Sequence, residues 1–374
     1  MMIHMIVSIL AFFLVLSILV LIHEAGHFFT AKKFGIKVEE FGFGFPPKLF
    51  GKKYGETEYT INALPIGGFV KLYGEDEAGA GRVDLSGKKH EVKGDIKRAF
   101  YARPAWQRFL VVVAGVVMNF LLAVVILTYL YAVPGVPTPG ETVIVTNIMK
   151  GSPAEKAHVQ VGDIISGVDQ LPVHSTSELV SYVKAHAGRS VTLHVTTPNG
   201  QKSDISVTPR SVTPKNQGAL GVEIAVKLVM KRYPWYQAPF VGVKETLIQS
   251  WQILAGIGQV IAQVVTTGSV PAGVAGPVGL ARITGDVVRS GFDATLALLA
   301  ALSLNLAILN ILPIPALDGG RFFFILIEMI TRKKVNQKFE TYAHTIGMAL
   351  LLGLIILITI HDVLGIIHNT PVLP

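Results

Sequence analysis

The residues best suited to chemistry in this chain are His23, Glu24 and His27, which read His-Glu-Ala-Gly-His at the end of an apolar run. Each residue of an α-helix turns about 100°, so the three side chains lie on one half of the helix. Two neutral imidazoles at this spacing suit zinc, which in catalytic sites keeps one position open for water. Zinc lowers the pKa of that water to about 7, and Glu24 is placed to take its proton and later give it to a leaving amine.

The alternative for these residues is an incidental polar cluster that binds nothing. Residues 5–22, which come directly before His23, carry no charged side chain. Ionisable groups in such a membrane-like segment are costly unless they are paired or bound to something. The sequence therefore favours a metal site.

The composition indicates a membrane protein with a sizeable soluble part, because 51% of the 374 residues are hydrophobic and only 16% are charged. The chain has no cysteine, so any metal ligands must be histidines and carboxylates. The net charge of +8 comes from Lys and Arg that gather beside apolar segments. This pattern is typical of membrane topology, and we expect no nucleic-acid partner.

Apolar runs and composition changes divide the chain into segments. Basic residues follow the first span, so the positive-inside tendency puts both termini outside and the histidines toward the cytoplasm. The predicted segments are a first span (1–31), a cytoplasmic loop (32–104) with a membrane-associated β-hairpin (about 56–75), a second span (105–132), a linker (133–140), an extracytoplasmic β-rich domain (141–226), an interfacial helical region (227–291), a third span (292–320), a cytoplasmic loop (321–340), a fourth span (341–365) and a tail (366–374).

The hairpin is predicted from strand-like runs at 58–62 and 69–73, with an apolar turn at 64–68 between them. Its exposed edge strand could hold an extended substrate by β-addition beside the histidines. An ordinary surface hairpin is the alternative.

Asp318 is the predicted third ligand. It follows Pro313 and Pro315, which loosen the end of the third span, and no other carboxylate lies near. If the spans alternate in direction, His23 and Asp318 reach similar depths in the membrane. The alternative is a structural Asp that ends the helix. Asn119 in the second span is either a helix–helix contact or a support for a ligand, whereas His361, Asp362 and His368 are assigned to the opposite interface.

Residues 141–226 contain alternating β-branched runs. Gly151-Ser152-Pro153-Ala154 followed by Val161-Gly162-Asp163-Ile164 resembles the PDZ-domain signature. The run Leu220-Gly221-Val222, with the two residues before it, resembles the carboxylate-binding turn of circularly permuted bacterial PDZ domains. The resemblance implies a groove for an extended segment or a chain terminus, with a steric filter as the alternative. His158 stands where the family usually has glycine, which predicts a distorted turn.

The His-Glu-x-x-His motif together with Asn-x-x-Pro-x-Pro-x-Leu-Asp-Gly resembles the site-2 protease family, and most closely the bacterial regulator of sigma-E protease type. The resemblance implies intramembrane zinc proteolysis in a bacterial inner membrane, with zinc held by His23, His27 and Asp318 and with Glu24 as general base. The residues that would bind substrate are Asn310, Pro313, Pro315 and the re-entrant segment Gly67, Gly68 and Phe69.

The same resemblance implies partners. The substrates would be transmembrane helices of membrane proteins, such as anti-sigma factors trimmed first by an upstream protease or remnant signal peptides, and lipid would surround the spans. Two other function classes stay open: a membrane-anchored PDZ scaffold whose metal site is not catalytic, and a transporter. The intact Glu24 argues against the scaffold, and the concentration of polar groups at one depth argues against the transporter.

Overall fold

The computed structural model describes residues 2–75, 95–214, 217–268 and 275–367, in two compact units. One unit combines Met1–Ala132 with Pro234–Pro374, and the other, Val133–Tyr233, is inserted between these two parts.

Nine helices and eight strands occur in the described ranges, with two short 3₁₀ turns before the second helix. In chain order the elements are α1 (Met2–Lys33), β1 (Val38–Tyr54), β2 (Thr57–Leu72), the 3₁₀ turns Ile96–Arg98 and Phe100–Ala102, α2 (Ala105–Ala132), β3 (Val136–Ile148), α3 (Pro153–Lys156), β4 (Ile164–Val168), β5 (Leu171–Pro172), α4 (Thr176–Ala185), β6 (Val191–Thr196), β7 (Lys202–Val207), β8 (Val222–Lys231), α5 (Ala238–Thr267), α6 (Pro277–Arg289), α7 (Phe292–Ile311), α8 (Asp318–Thr331) and α9 (Gln337–Ile367).

Four of the described helices, α1, α2, α7 and α9, are long and apolar enough to cross a membrane. Their apolar stretches are 27, 28, 20 and 27 residues long. Since a helix rises 1.5 Å per residue, even the shortest covers a hydrocarbon core of about 30 Å. The chain is a polytopic α-helical membrane protein, as the sequence predicted.

The helices α1, α2 and α7 share one apolar core. Leu19 of α1, Leu127 of α2 and Leu304 of α7 are buried together. A polar contact also joins two of these helices, because the Ser303 hydroxyl donates to the Asn119 carbonyl oxygen over 2.8 Å. This core fixes the relative positions of the segments that carry His23 and Asp318.

The sheet of β1 and β2 differs from the predicted hairpin. The turn lies at Gly55–Glu56, and β2 runs without a break through 64–68. Residues 40–43 of β1 pair with 68–71 on one side and with 58–61 on the other. The prediction that 58–62 and 69–73 pair across an apolar turn was therefore wrong. The reason is that β1, which was not predicted as a strand, lies between them.

The inserted unit is an α+β domain with a six-stranded sheet in the order β7-β6-β4-β3-β8, in which β5 pairs with β4. Inward-facing residues such as Val143, Ile165 and Leu193 form its core. His158 takes a left-handed φ of 60°, the region that glycine favours, and the turn keeps its hydrogen bond from the Val159 amide to the Ala154 oxygen. The predicted distortion of this turn stays a prediction.

Some predicted boundaries were also wrong, because most of the linker (133–140) belongs to β3 and residues 227–231 of the predicted helical region belong to β8. Residues 321–340, predicted as a loop, contain most of α8. This helix is amphipathic and, with 14 residues, too short to span a membrane. The helix α5 packs against α2, where Gly242 lies close to Thr128, while its Trp251 side is exposed. Asp362 accepts from the amides of Gly276 and Gly279 at the start of α6. His368 and the side chain of His361 lie outside the described residues.

Candidate metal centre and cavity

The structure brings His23, His27 and Asp318 together at the meeting point of α1 and α8. Their ligand atoms all lie within 4.8 Å of one another. The Asp318 Oδ2 is 2.8 Å from the His23 Nε2 and 3.3 Å from the His27 Nε2, and the two imidazole nitrogens are 3.2 Å apart. Helical spacing accounts for the histidine pair, and the fold adds the aspartate from a distant part of the chain.

These distances fit a tetrahedral metal. Ligand atoms on a tetrahedron with bonds of about 2.0–2.1 Å lie about 3.3 Å apart, close to the separations of the three donor atoms. Two nitrogens and one carboxylate oxygen also match the donor set of catalytic zinc sites, which keep the fourth position free. The residues present therefore fit a zinc ion.

The second helix orients both histidines. The His27 Nδ1 donates to the Val111 carbonyl oxygen over 2.8 Å, which leaves the Nε2 lone pair facing the other ligands. The His23 Nδ1 lies 3.3 Å from the Asn119 Nδ2, and the Asn119 Oδ1 is buried without a hydrogen-bond partner. When the Asn119 amide turns by 180° about its Cβ–Cγ bond, its oxygen can accept from the His23 Nδ1–H. Of the two roles weighed for Asn119, the contact favours support of a ligand.

Two glycines allow α1 and α2 to approach this closely. A Cβ on Gly26 would lie 2.3 Å from the Ala114 carbonyl oxygen, and one on Gly115 would lie 2.5 Å from the His27 Nε2. Neither distance is tolerable for a side chain. The close approach of the two helix backbones therefore fixes the position of the histidines.

The loop between α7 and α8 carries Asp318 to the site. The helix α7 ends at Ile311 before the two prolines, and α8 begins at Asp318 itself. A Cβ on Gly319 would lie only 1.7 Å from the Leu312 carbonyl oxygen, so the loop folds tightly over the start of α8. Just before the loop, the Asn310 Nδ2 lies 3.4 Å from the His23 Nε2.

Glu24 faces a cavity of about 630 Å³ next to the histidine pair. Phe69 and Asp318 also line this cavity. A Cβ on Gly68 would lie 3.8 Å from the Glu24 Cγ, so β2 passes directly beside the carboxylate. Gly67 has a φ of 89°, which lets the strand bend against α1 at this point.

The two prolines lie at the edge of this arrangement. Pro313 is exposed, whereas Pro315 is half-buried and packs against α9 at Gly347. Sequence reasoning did not single out His344 of α9, which lines the cavity, because a single histidine in the polar first turns of a helix carries no spacing signal. It also missed the ion pair of Glu75 with Arg321, whose partners are far apart in the chain.

The inserted unit has a separate groove between α4 and β8, with a volume of about 500 Å³. Leu220 and Val222 line it, as do the cations Lys184 and Arg210. Gly221 has a φ of 71°, as a glycine turn requires, and its amide donates to the Gly218 carbonyl oxygen over 3.0 Å. A helix beside a strand that begins at a glycine turn agrees with the predicted PDZ domain.

The membrane helices, the three converging ligands and the adjoining carboxylate together define a class of protein, the membrane-embedded metallopeptidases. The family model described as Peptidase family M50 matches residues 11–354, and the chain belongs to that family. The predicted relationship to site-2 proteases is thereby confirmed, and the protein is a zinc metalloprotease.

Relatives match over nearly their whole length. A zinc metalloprotease of Clostridium perfringens is 34% identical over 96% of this chain and 98% of its own. The zinc metalloprotease RasP of Bacillus licheniformis is 31% identical over 95% and 98%. The regulator of sigma-W protease RasP of Bacillus subtilis is 29% identical over 95% and 98%. Among solved structures, the PDZ domain of an SdrC-like protein of Listeria monocytogenes covers 24% of this chain and 94% of its own, with 18% identity and a TM-score of 0.21.

Proposed function

We propose that this protein hydrolyses peptide bonds within transmembrane segments, using zinc held by His23, His27 and Asp318. The observation that carries the proposal is the convergence of the three ligand atoms within 4.8 Å beside a cavity lined by Glu24. The names of the relatives support zinc as the metal.

The chain's own residues divide the chemistry. Zinc, when bound, would supply polarisation of the scissile carbonyl and activation of water at neutral pH. Glu24 would take a proton from the attacking water and deliver it to the leaving amine. Asn310, whose amide reaches to 3.4 Å from a ligand nitrogen, would hold the peptide backbone. Pro313 and Pro315 would keep the loop that carries Asp318 in its non-helical form.

A substrate helix must unwind before its peptide bonds can be attacked, and β2 offers a replacement for the lost hydrogen bonds. Within the described residues, β1 is the one strand that pairs with the segment 68–72, so this segment lies at an edge of the two-stranded sheet. Phe69 and Leu72 of this segment also line the cavity beside Glu24. An unwound peptide that added to this edge would therefore lie beside the general base.

The physiological substrates that we propose are anti-sigma factors trimmed first by another protease, or remnant signal peptides. One relative is named as a regulator of sigma-W, which supports the first class. The groove at Leu220, Gly221 and Val222 would receive the new end of a trimmed substrate, and the nearby Lys184 and Arg210 suit a carboxylate. A steric filter against untrimmed proteins remains the alternative for this unit.

We also propose that both termini and the inserted unit lie outside the cytoplasm, with the metal centre toward the cytoplasmic side of a bacterial inner membrane. The chain has no cysteine, so a single introduced cysteine is the one thiol of the protein that can react with a labelling reagent. A cysteine at the exposed Val212 should react with an impermeant reagent in intact cells. A cysteine at the exposed Lys53, near the hairpin turn, should react only after permeabilisation.

The central experiment compares purified wild type with Glu24→Gln. We expect about one zinc per chain in both proteins and cleavage of a model transmembrane peptide by the wild type alone. A matched control is Glu141→Gln, because that side chain is 89% exposed in the inserted unit. Equal cleavage by wild type and Glu24→Gln would remove Glu24 as the base. Stoichiometric zinc without cleavage of several peptides would favour the scaffold.

A further inference from the structure

A histidine outside the motifs lines the cavity beside the metal centre. His344 of α9 is only 4% exposed and shares the cavity wall with Glu24, His27 and Asp318. It contacts the first turn of α8, because a Cβ on Gly320 would lie 3.2 Å from its Cε1. The side chain is thus fixed between α9 and the start of α8.

The hydrogen bonding of His344 determines its tautomer. The backbone N–H of Ala316 donates to the His344 Nδ1 over 3.0 Å, so this nitrogen carries the lone pair. A neutral imidazole with its lone pair on Nδ1 has its proton on Nε2. The Nε2 is therefore a donor, and it is buried without a hydrogen-bond partner in the described part of the chain.

A buried donor without an acceptor destabilises a folded protein, so such a group calls for an explanation. The cavity next to it is lined by the carboxylates of Glu24, Glu75 and Asp318, by the polar side chains of His27, Arg321 and Thr345, and by apolar side chains. Arg321, another donor in the wall, is already paired with Glu75. A peptide unwound in this cavity exposes carbonyl oxygens that need donors.

We propose that His344 is a substrate-binding residue, whose Nε2–H donates to a backbone carbonyl oxygen of the unwound peptide. This inference rests on the proposed function. The competing view is that His344 only holds the loop through Ala316, which has a φ of 82° that residues other than glycine rarely adopt.

Two variants separate substrate binding through Nε2 from loop support through Nδ1. Each variant keeps a polar atom near the position of one ring nitrogen and lacks one near the other. His344→Asn places an amide oxygen near the former Nδ1, so it can still accept from Ala316, but it has nothing at Nε2. His344→Gln places an amide nitrogen near the former Nε2 and gives up the Nδ1 acceptor. His174→Asn serves as a control, because that side chain is 57% exposed in the inserted unit.

The full chain in lipid nanodiscs would be assayed for zinc content, for kcat/KM on a helix-destabilised transmembrane peptide, and for binding of that peptide by each variant in a Glu24→Gln background. We expect His344→Asn to keep its zinc but to lose about tenfold or more in peptide binding and kcat/KM. We expect His344→Gln to stay within a few-fold of the wild type.

The opposite order, with His344→Gln impaired and His344→Asn normal, would overturn the proposal in favour of loop support. Equal behaviour of both variants, whether normal or impaired, would overturn it too, and so would loss of zinc by His344→Asn. If the wild type cleaved no peptide while His344→Asn alone bound peptide weakly, the proposed function would fail and this inference would stand.

Discussion

The contact between α2 and the histidine pair leads to a sharp prediction for Gly115→Ala. The new Cβ would lie 2.5 Å from the His27 Nε2 and 2.7 Å from the His23 Cε1, whereas ordinary contact begins at 3.4 Å. The added methyl group thus meets the ligand nitrogen of one histidine and the ring edge of the other. Helix backbones on both sides leave little room for relief.

The size of the effect follows from the tolerance of metal coordination. The His27 ring must retreat by about 1 Å, whereas zinc–ligand distances tolerate only about 0.2 Å. Changes that merely disturb the orientation of a ligand lower metal affinity by about 10–100-fold. We therefore expect Gly115→Ala to weaken zinc binding by about 100-fold or more and to abolish cleavage of a transmembrane peptide.

Zinc affinity would be measured by competition with a chromophoric chelator, using purified full-length protein. The matched control is Gly353→Ala, because a Cβ at this position of α9 meets no atom within 4 Å. This control should bind zinc and cleave peptide like the wild type. If Gly115→Ala bound zinc with wild-type affinity, α2 could not pack against the histidines as described, and the argument for the centre would fail.

Three further predictions concern stability. Glu56 is paired with Lys32 and Arg98, which lower its pKa to about 2. Its contribution to folding stability is therefore present above pH 4.5 and is lost as the pH falls toward 2. Because Glu56 is 30% exposed, solvent screening limits that contribution to about 1 kcal/mol. The difference in unfolding free energy between wild type and Glu56→Gln, measured by thermal unfolding, should therefore shrink over this pH range. Glu75→Gln should destabilise the protein by about 3 kcal/mol, because it leaves the Arg321 charge, 19% exposed, without its carboxylate. Gly221→Ala should destabilise the inserted unit by about 1–3 kcal/mol, measured by proteolysis, because its Cβ would lie 2.4 Å from the Ser152 Cβ at a φ of 71°.

Each of these has a control in the chain. If the difference in unfolding free energy between wild type and Glu56→Gln were the same at pH 6 and at pH 2.5, the role of Glu56 would be contradicted. Adding Arg321→Met to Glu75→Gln should recover part of the loss, and no recovery would argue against a buried unpaired charge. Gly200→Ala has a similar φ of 83° but meets nothing within 4 Å, so it isolates backbone strain from the clash. Equal losses at Gly200 and Gly221 would rule out the clash.

The sequence by itself determined the elements that depend on local period and composition. Uninterrupted apolar runs predicted the four spans, because a membrane helix needs about 20 such residues whatever its neighbours are. The i, i+4 spacing of His23 and His27 placed both imidazoles on one helix face. Asp318 could be paired with them because alternation of the spans fixes its depth.

Only the tertiary structure decided which other groups surround these residues. The tight contact at Gly115, the carbonyl of Val111 and the amide of Asn119 come from the packing of α2 on α1, which no local pattern encodes. In the same way, β1 lies between two parts of β2, so the predicted pairing of those parts was wrong. Strand-like composition predicts which segments form strands, but it does not predict which of those strands pair with each other.

His344 shows the limit most clearly. In the sequence it is one of several polar residues at the start of α9, and nothing in its spacing links it to the histidines of α1. Its role depends on which nitrogen carries the proton, and that depends on the amide of Ala316 in a loop that precedes α8. Helical period and hydropathy are properties of neighbouring residues, whereas a hydrogen bond between distant segments exists only after the chain has folded.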